Sequence, residues 1–472
     1  MKALYERLVE QLWQPLRQKG SFAQNFAITL SGSAAVTVIG FLLTPVMSRI
    51  YPPSAYGQFA VFNSLVNNLA MVSTLTYTAA FLQPKEESKF HALVQLTGLL
   101  TLVTTVLMLL VLVVAGPFIR RWLHIEGLGN LLFLLPVLLM LFNLNSIMSS
   151  WYTREKKFMK RVSVDITTTL AGRGFTIGYG WVIAPTVVGL LLGDLFNRLT
   201  STIGLAAGSI RYSFGMLVRT FSWANVRAVA IEYKDFPLYF LPANFLNGLS
   251  AQLPIYVLTT GFGSTAVGLY SFSVGLLELP ITLIGNALMP VFWQKATETH
   301  QQNPVRLGGM VLDLYYKMLY LGLIPFGVVT IYGDLLFKFV FGARWEMAGV
   351  YTGYLGYYYV FRLMSQVTAP VFTILNRQRF VLGTTIVLLL VRALTLGIGL
   401  WAHSLNLALL LFGVGSLLAT FFLDLLVLGL LKLPILRIGL RTVAIAGTAL
   451  LLLKGSRMLL ESFLHLSPAL AR

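Results

Sequence analysis

Ten ionisable side chains stand inside otherwise apolar stretches: Arg173, Arg198, Lys317, Arg362 and Arg392 against Asp165, Asp194, Glu278, Asp313 and Asp424. In hydrocarbon each costs about 2.5–3.5 kcal/mol on insertion scales, so each needs a partner or a task. Asp194 and Arg198, like Asp313 and Lys317, are four residues apart with the acid first, the spacing of an intrahelical ion pair. Arg173 and Arg392 have no such local partner. A guanidinium presents a planar fork of donors to a multi-oxygen anion. Arg173, Arg392 and Arg362, with Lys317 as a fourth cation, are therefore candidates to hold an anionic group. The alternative is that each arginine ties helices together by bonding carbonyls freed near Gly178, Gly180, Gly397 and Gly399. Glu278 and Asp424 are the acids best suited to exchange a coupling proton or sodium ion, or else serve as counter-ions to arginine. Arg49 sits at the far end of the first apolar stretch, as an interfacial anchor or a guide for an anion.

Covalent chemistry finds no support. There is no cysteine, which excludes thiolate catalysis and cysteine-ligated metals. The histidines at 91, 124, 300, 403 and 465 form no metal or acid–base spacing, and no phosphate-loop or dinucleotide fingerprint occurs. No bound cofactor is expected, apart from a possible coupling ion, and an enzyme is not the expected class.

The elements that must position these residues are membrane helices. Hydrophobic residues make up 57% and charged residues 11% of the 472, whereas soluble domains carry about a quarter charged residues. A span needs roughly twenty apolar residues. The sequence predicts spans at 22–48, 57–82, 92–118, 130–150, 164–184, 186–209, 237–260, 268–293, 307–331, 350–374, 381–401 and 405–430. Lysines and arginines gather on one side of these spans, which places both termini in the cytoplasm. The net charge of +18 is thus an orientation signal and an attraction to anionic headgroups rather than a nucleic-acid patch.

Residues 1–20 read as an interfacial amphipathic helix, with Leu4, Leu8, Leu12 and Leu16 on one stripe. Residues 211–236 read as a linker between a lobe at 21–210 and a second at 237–431. Thr442–Lys454 is short for a span, so 432–472 is expected to be a basic tail with an interfacial or hairpin helix. Pro45, Pro136, Pro254, Pro280, Pro325 and Pro370 fall inside spans, where each can bend its helix. The tyrosines at 357–359 read as core packing rather than a sugar platform.

The two halves repeat each other. Ala55-Tyr56-Gly57-Gln58-Phe59 corresponds to Ala266-Val267-Gly268-Leu269-Tyr270, and Phe142-Asn143-Leu144-Asn145-Ser146 to Phe361-Arg362-Leu363-Met364-Ser365. Arg173-x-x-Thr176-x-Gly178-x-Gly180 corresponds to Arg392-x-x-Thr395-x-Gly397-x-Gly399. Six spans per half preserve orientation, so the expected fold is an all-α polytopic membrane protein of about twelve helices. Its two six-helix lobes would be related by a pseudo-twofold axis around a central cavity.

Residues Pro45-Val46-Met47-Ser48-Arg49-Ile50-Tyr51-Pro52-Pro53-Ser54-Ala55-Tyr56-Gly57 resemble the first-loop signature of bacterial oligosaccharide flippases. These are the Wzx-type members of the multidrug/oligosaccharidyl-lipid/polysaccharide exporter superfamily. The resemblance continues through Gln83-Pro84-Lys85, Val267-Gly268-Leu269-Tyr270-Ser271, Leu279-Pro280 and Phe341-Gly342-Ala343-Arg344-Trp345-Glu346-Met347-Ala348-Gly349. It implies a cavity alternating between membrane faces in a bacterial cytoplasmic (inner) membrane. It also implies an undecaprenyl-pyrophosphate-linked oligosaccharide as cargo, delivered outward for O-antigen or exopolysaccharide assembly. A polysaccharide polymerase and a chain-length regulator are the partners such a role implies, besides membrane lipids.

Two departures stand out. Thr76-Tyr77-Thr78 replaces the charged residues that flank this tyrosine in many relatives, and Ser273-Val274-Gly275 stands where many carry an arginine. A peptidoglycan lipid-precursor flippase and a multidrug cation antiporter share the architecture. The first usually has more basic residues in its first two helices, and the second an acid in its early helices, whereas spans one to four contain none. A non-transporting scaffold of a glycan-assembly complex is the alternative from another class.

Overall fold

A computed structural model of the chain describes residues 22–122, 126–207, 220–375 and 377–463, together with Gly215. The amphipathic helix expected over 1–20 lies outside these residues. The described chain is helical throughout. α1 (Phe22–Ile50) ends before Tyr51-Pro52, and α2 (Pro53–Ser73) starts on a proline, whose missing donor costs nothing at a first helical position. α3 (Glu87–Trp122), α4 (Leu134–Arg154), α5 (Phe158–Val182) and α6 (Val187–Ala206) follow, then the short α7 (Trp223–Glu232). α8 (Leu241–Gln302) breaks at Gly263, where φ of 80° and ψ of 177° suit glycine alone, so it forms two arms. α9 (Pro304–Phe341) is capped by Asn303, which accepts from the Val305 amide at 3.2 Å. α10 (Glu346–Ile374), α11 (Gln378–Trp401), α12 (Leu405–Leu430) and α13 (Ile435–Phe463) complete the described chain.

Counting the arms of α8 separately, α1–α6 and α8–α12 supply the twelve expected spans. By length and hydropathy alone, eight helices of the described chain qualify, with α8 counted once and α13 included. α2, α5, α6 and α10 do not, because asparagines, threonines, tyrosines and charges interrupt their apolar runs. The chain is a multi-pass membrane protein. Its lipid-facing surface is apolar, as on α3, where Leu102, Val106, Leu107, Leu110 and Val113 are all exposed.

Contacts divide the chain into two units. One comprises Met1–Tyr51 and Val61–Gly248, the other Pro52–Ala60 and Leu249–Arg472. Within the first, α3 packs on α4, α4 on α6, and α5 on both α1 and α6. Within the second, α9 packs on α10, α10 on α12, and α11 on α12. The pairings α3/α4, α4/α6 and α5/α6 therefore recur six spans later, the structural counterpart of the sequence repeat.

Two boundaries differ from the sequence reading. The 211–236 segment is no free linker where described: α7 packs on α3, and Val226, Val229 and Phe236 bury in one cluster with Phe81, Phe90 and Trp151. Burial of that apolar face places it in the first unit, and the division falls at Gly248/Leu249 instead. The tail, expected as an interfacial or hairpin helix, is one unbroken helix of 29 residues, α13.

α13 runs alongside α9 in the same direction. Arg441 lies 4.7 Å from the Tyr316 ring, the Ser456 and Tyr332 hydroxyls meet at 2.7 Å, and Arg457 reaches Asp334. The helical rise from residue 441 to residue 457 is about 24 Å, most of a bilayer core of about 30 Å. Lys454 and Arg457 shorten the apparent apolar run. Arg457 is nevertheless tolerated, because both terminal nitrogens bond Asp334 at 2.9 and 2.8 Å and its Nε donates to Glu461 at 2.7 Å.

Candidate functional site

In the second unit α10 carries Tyr358, Arg362 and Ser365, spaced four and three apart and therefore on one helical face. Arg392 enters from α11. Its Nη1 donates to the Ser250 carbonyl at 3.1 Å and the Ser250 hydroxyl at 3.0 Å, and its Nη2 to the Tyr358 hydroxyl at 3.0 Å. The Phe412 ring lies 5.9 Å from the guanidinium carbon. Arg362 approaches the same tyrosine from the other side, with Nη1 3.5 Å from the Tyr358 hydroxyl. Its Nη2 pairs with Glu278 Oε1 at 2.9 Å, and the Tyr359 hydroxyl donates to that oxygen at 3.3 Å.

This cluster is short of anions. Two guanidinium groups face one carboxylate, which leaves one positive charge. The Nε groups of Arg362 and Arg392 are both buried and take no partner among the described residues. A buried donor left unpaired costs about 1–3 kcal/mol, more when charged, so the chemistry of the cluster suits a multi-oxygen anion. Arg392 is only 8% exposed, whereas the Arg362 and Glu278 side chains are 34% and 30% exposed. The Arg362–Glu278 pair is thus the more accessible part of the cluster.

Asp424 forms a second polar site at the other end of the α10 stripe. It is buried on α12 and accepts from the Ser365 hydroxyl at 2.9 and 3.0 Å and from the Thr368 hydroxyl at 2.5 Å. No cation pairs with it among the described residues. Glu278, by contrast, is an arginine's counter-ion. Among the described residues no group of three His, Asp or Glu converges as metal ligands.

The remaining candidates are not members of the cluster. Arg173 is in the first unit, on α5, where Nη1 approaches Met47 Sδ at 3.1 Å. No carboxylate pairs with it among the described residues. Lys317 bonds Asp313 at 2.7 Å on an exposed face of α9, and Arg198 bonds Asp194 at 2.8 Å, as their spacing predicts. Arg49 is exposed at the end of α1. Asn143, at the position corresponding to Arg362, donates to the Ser73 hydroxyl at 2.7 Å, so the repeat is chemically unequal there.

Sequence reasoning missed three parts of this picture. Tyr358 and Tyr359 are buried as expected of packing residues, yet their hydroxyls join the charged groups. Ser250 carried no signal, since a lone serine in a span is unremarked. The Asp334–Arg457 pair lay beyond the predicted spans, although a basic residue in an apolar tail and an acid beside a span were its traces.

The repeated Tyr-Gly and Val-Gly motifs meet each other in the second unit. A side chain on Gly57 would lie 1.7 Å from the Ser264 carbonyl oxygen, and one on Gly268 1.8 Å from that of Pro53. Both positions therefore require glycine. Tyr56 meets Trp345 edge-on at 5.1 Å, and Trp345 stacks on Phe272 at 3.9 Å. Three of the stretches that carry the family resemblance thus build one packed junction.

The family model described as polysaccharide biosynthesis protein matches residues 46–349. Among solved structures, the lipid II flippase MurJ in an inward closed conformation is similar with a TM-score of 0.64 at 12% identity, over 89% of this chain and 92% of that one. An inward-facing multidrug resistance MATE family transporter of the MOP superfamily gives 0.63 at 14%, over 83% and 94%. The Vibrio cholerae MATE transporter VcmN, as a variant, gives 0.52 at 12%, over 90% and 98%. At these identities the likeness is one of fold. No curated protein matches the chain in sequence.

Proposed function

Because the chain belongs to the polysaccharide biosynthesis protein family, we propose that it is a flippase for an undecaprenyl-pyrophosphate-linked oligosaccharide, moving it from the cytoplasmic to the outer leaflet by alternating access. The observation that carries this reading is the Arg362/Arg392 cluster, with surplus positive charge and two unpartnered N–H groups at membrane depth. The cluster binds the pyrophosphate through guanidinium forks. Glu278 competes for Arg362, so the anion is held without being trapped. Arg173 offers a separate contact for the anion within the first unit, and Arg49 guides it at the outer surface. Asp424, with hydroxyl partners alone, is the acid assigned to proton or sodium exchange. Lys317 stays with Asp313.

An outward-moving anion also gains about 2.3 kcal/mol per charge per 100 mV of inside-negative potential, so voltage supplies drive without a coupled ion. The peptidoglycan precursor carries the same pyrophosphate, and the MurJ likeness makes it the second cargo to test. Purified protein in liposomes is expected to flip a labelled polyprenyl-pyrophosphate-linked oligosaccharide faster than lipid II. Faster movement of lipid II would reassign the cargo. Movement of neither, beside partner binding, would favour a scaffold.

A further inference from the structure

Inside the first unit, α1, α5 and α6 leave a cavity of about 300 Å³, at the lower end of ligand-holding clefts, roughly 300–1,000 Å³. Its lining is arranged in stripes. α1 contributes Thr29, Ser33 and Thr37, one every four residues. α5 contributes Arg161 and Asp165 one turn apart, then Thr168 and Thr169 a further turn on. α6 contributes Asn197 and Ser201, again four apart. Three helices of a lipid-embedded bundle thus turn polar faces toward one space, where apolar packing would be the default for a purely structural core.

The donor and acceptor pattern of this lining is specific. Thr37 donates to the Ser33 carbonyl at 2.9 Å, Thr168 to Val164 at 2.9 Å and Thr169 to Asp165 at 2.6 Å. Each hydroxyl proton is spent on its own helix, so the oxygen lone pairs remain as acceptors. The side chains of Asn197 and Ser201 take no partner among the described residues. Arg161 and Asp165 face each other at 3.8 Å, so the lining holds one charge of each sign and no net charge. A pyrophosphate would find no surplus cation here, and an organic cation would find its carboxylate already opposed.

We propose that this cavity is a subsite for a neutral hydroxylated sugar ring. The ring's O–H groups donate to the threonine oxygens and to Asp165, the Asn197 amide both donates and accepts, and Phe158 offers an apolar wall to the ring's C–H face. The cavity lies in the half of the unit nearest Lys156, Lys157 and Lys160, the side that the distribution of basic residues marks as cytoplasmic. It is therefore placed where a cargo is loaded. The assignment of the sugar to a lipid-linked cargo rests on the flippase reading; the sugar site itself does not.

The chain has no cysteine, so Ser201→Cys introduces a single thiol. In the full chain in nanodiscs, maleimide labelling of that thiol is expected to slow about tenfold, a change of ~1.4 kcal/mol, with free neutral hexoses, N-acetylhexosamines or 6-deoxyhexoses at high millimolar concentration. Inorganic pyrophosphate should leave the rate unchanged. Asn197→Leu in the same background should abolish protection without lowering the melting temperature, with Asn197→Ala replacing it should that variant not fold. Protection by no sugar of the panel, equal protection by pyrophosphate, or a thiol unreactive without any sugar overturns the proposal. Sugar protection without flipping of lipid-linked saccharide would sink the flippase reading and leave the subsite standing, and the reverse pattern would do the opposite.

Discussion

Tyr358 has its hydroxyl between two guanidinium groups, 3.0 Å from Arg392 and 3.5 Å from Arg362, and the balance there is set by Glu278. Glu278→Gln removes the sole carboxylate of the cluster and frees Arg362. It is expected to tighten equilibrium binding of inorganic pyrophosphate about tenfold, while Arg362→Gln weakens it by a similar factor; calorimetry on detergent-purified protein reads both. Equal effects of the two changes would mean the pair acts only as a structural clasp. Asp334 and Arg457 make a different case, since their pair is bidentate and the acid is buried. Removing one partner of such a pair costs about 3–5 kcal/mol, whereas removing both costs less. Asp334→Asn should therefore lower thermal stability more than Asp334→Asn/Arg457→Gln. At this scale sequence reading found the arginines and acids because charge in an apolar run is conspicuous. Ser250 and Thr368 stayed invisible, and Tyr358 read only as packing, because neutral hydroxyls gain meaning only from what the fold brings beside them.

At the scale of elements, the twelve spans were legible because a bilayer demands long apolar runs and prolines and glycines punctuate them. α13 was not, since Arg457 is neutralised by Asp334 of α9, more than a hundred residues away in sequence. Running parallel to α9 through most of the bilayer depth, α13 brings its end out on the face where α9 ends. On the orientation that the basic residues predict for the N-terminus, that face is the outer one, which would set the C-terminal end outside rather than in the cytoplasm as expected. A thiol introduced by Ser462→Cys is expected to react with a membrane-impermeant maleimide added outside intact cells. Reaction only after permeabilisation would return α13 to the cytoplasmic surface. The Gly57/Gly268 contact makes a second demand on elements, for α2 and the second arm of α8 approach until neither glycine has room for a methyl group. Gly268→Ala should lower the melting temperature more than Gly275→Ala, whose added carbon meets nothing within 4 Å.

Across the whole molecule, duplication supplies the scaffold and divergence supplies the chemistry. The repeated helix pairings recur in both units. The charged cluster does not, because Asn143 stands in the first unit where Arg362 stands in the second. The duplication was readable from matched motifs, but which copy would hold the charge depended on side chains from four separate stretches converging. On the proposed function, Arg392 and Arg362 hold the pyrophosphate during transfer. The most direct test is the rate at which Arg392→Gln flips a labelled polyprenyl-pyrophosphate-linked oligosaccharide in proteoliposomes. The expected result is a loss of about 100-fold per folded molecule, as for two charge-assisted hydrogen bonds, well beyond any accompanying fall in the amount of folded protein. Undiminished flipping, or a loss that follows unfolded protein in step, would contradict it.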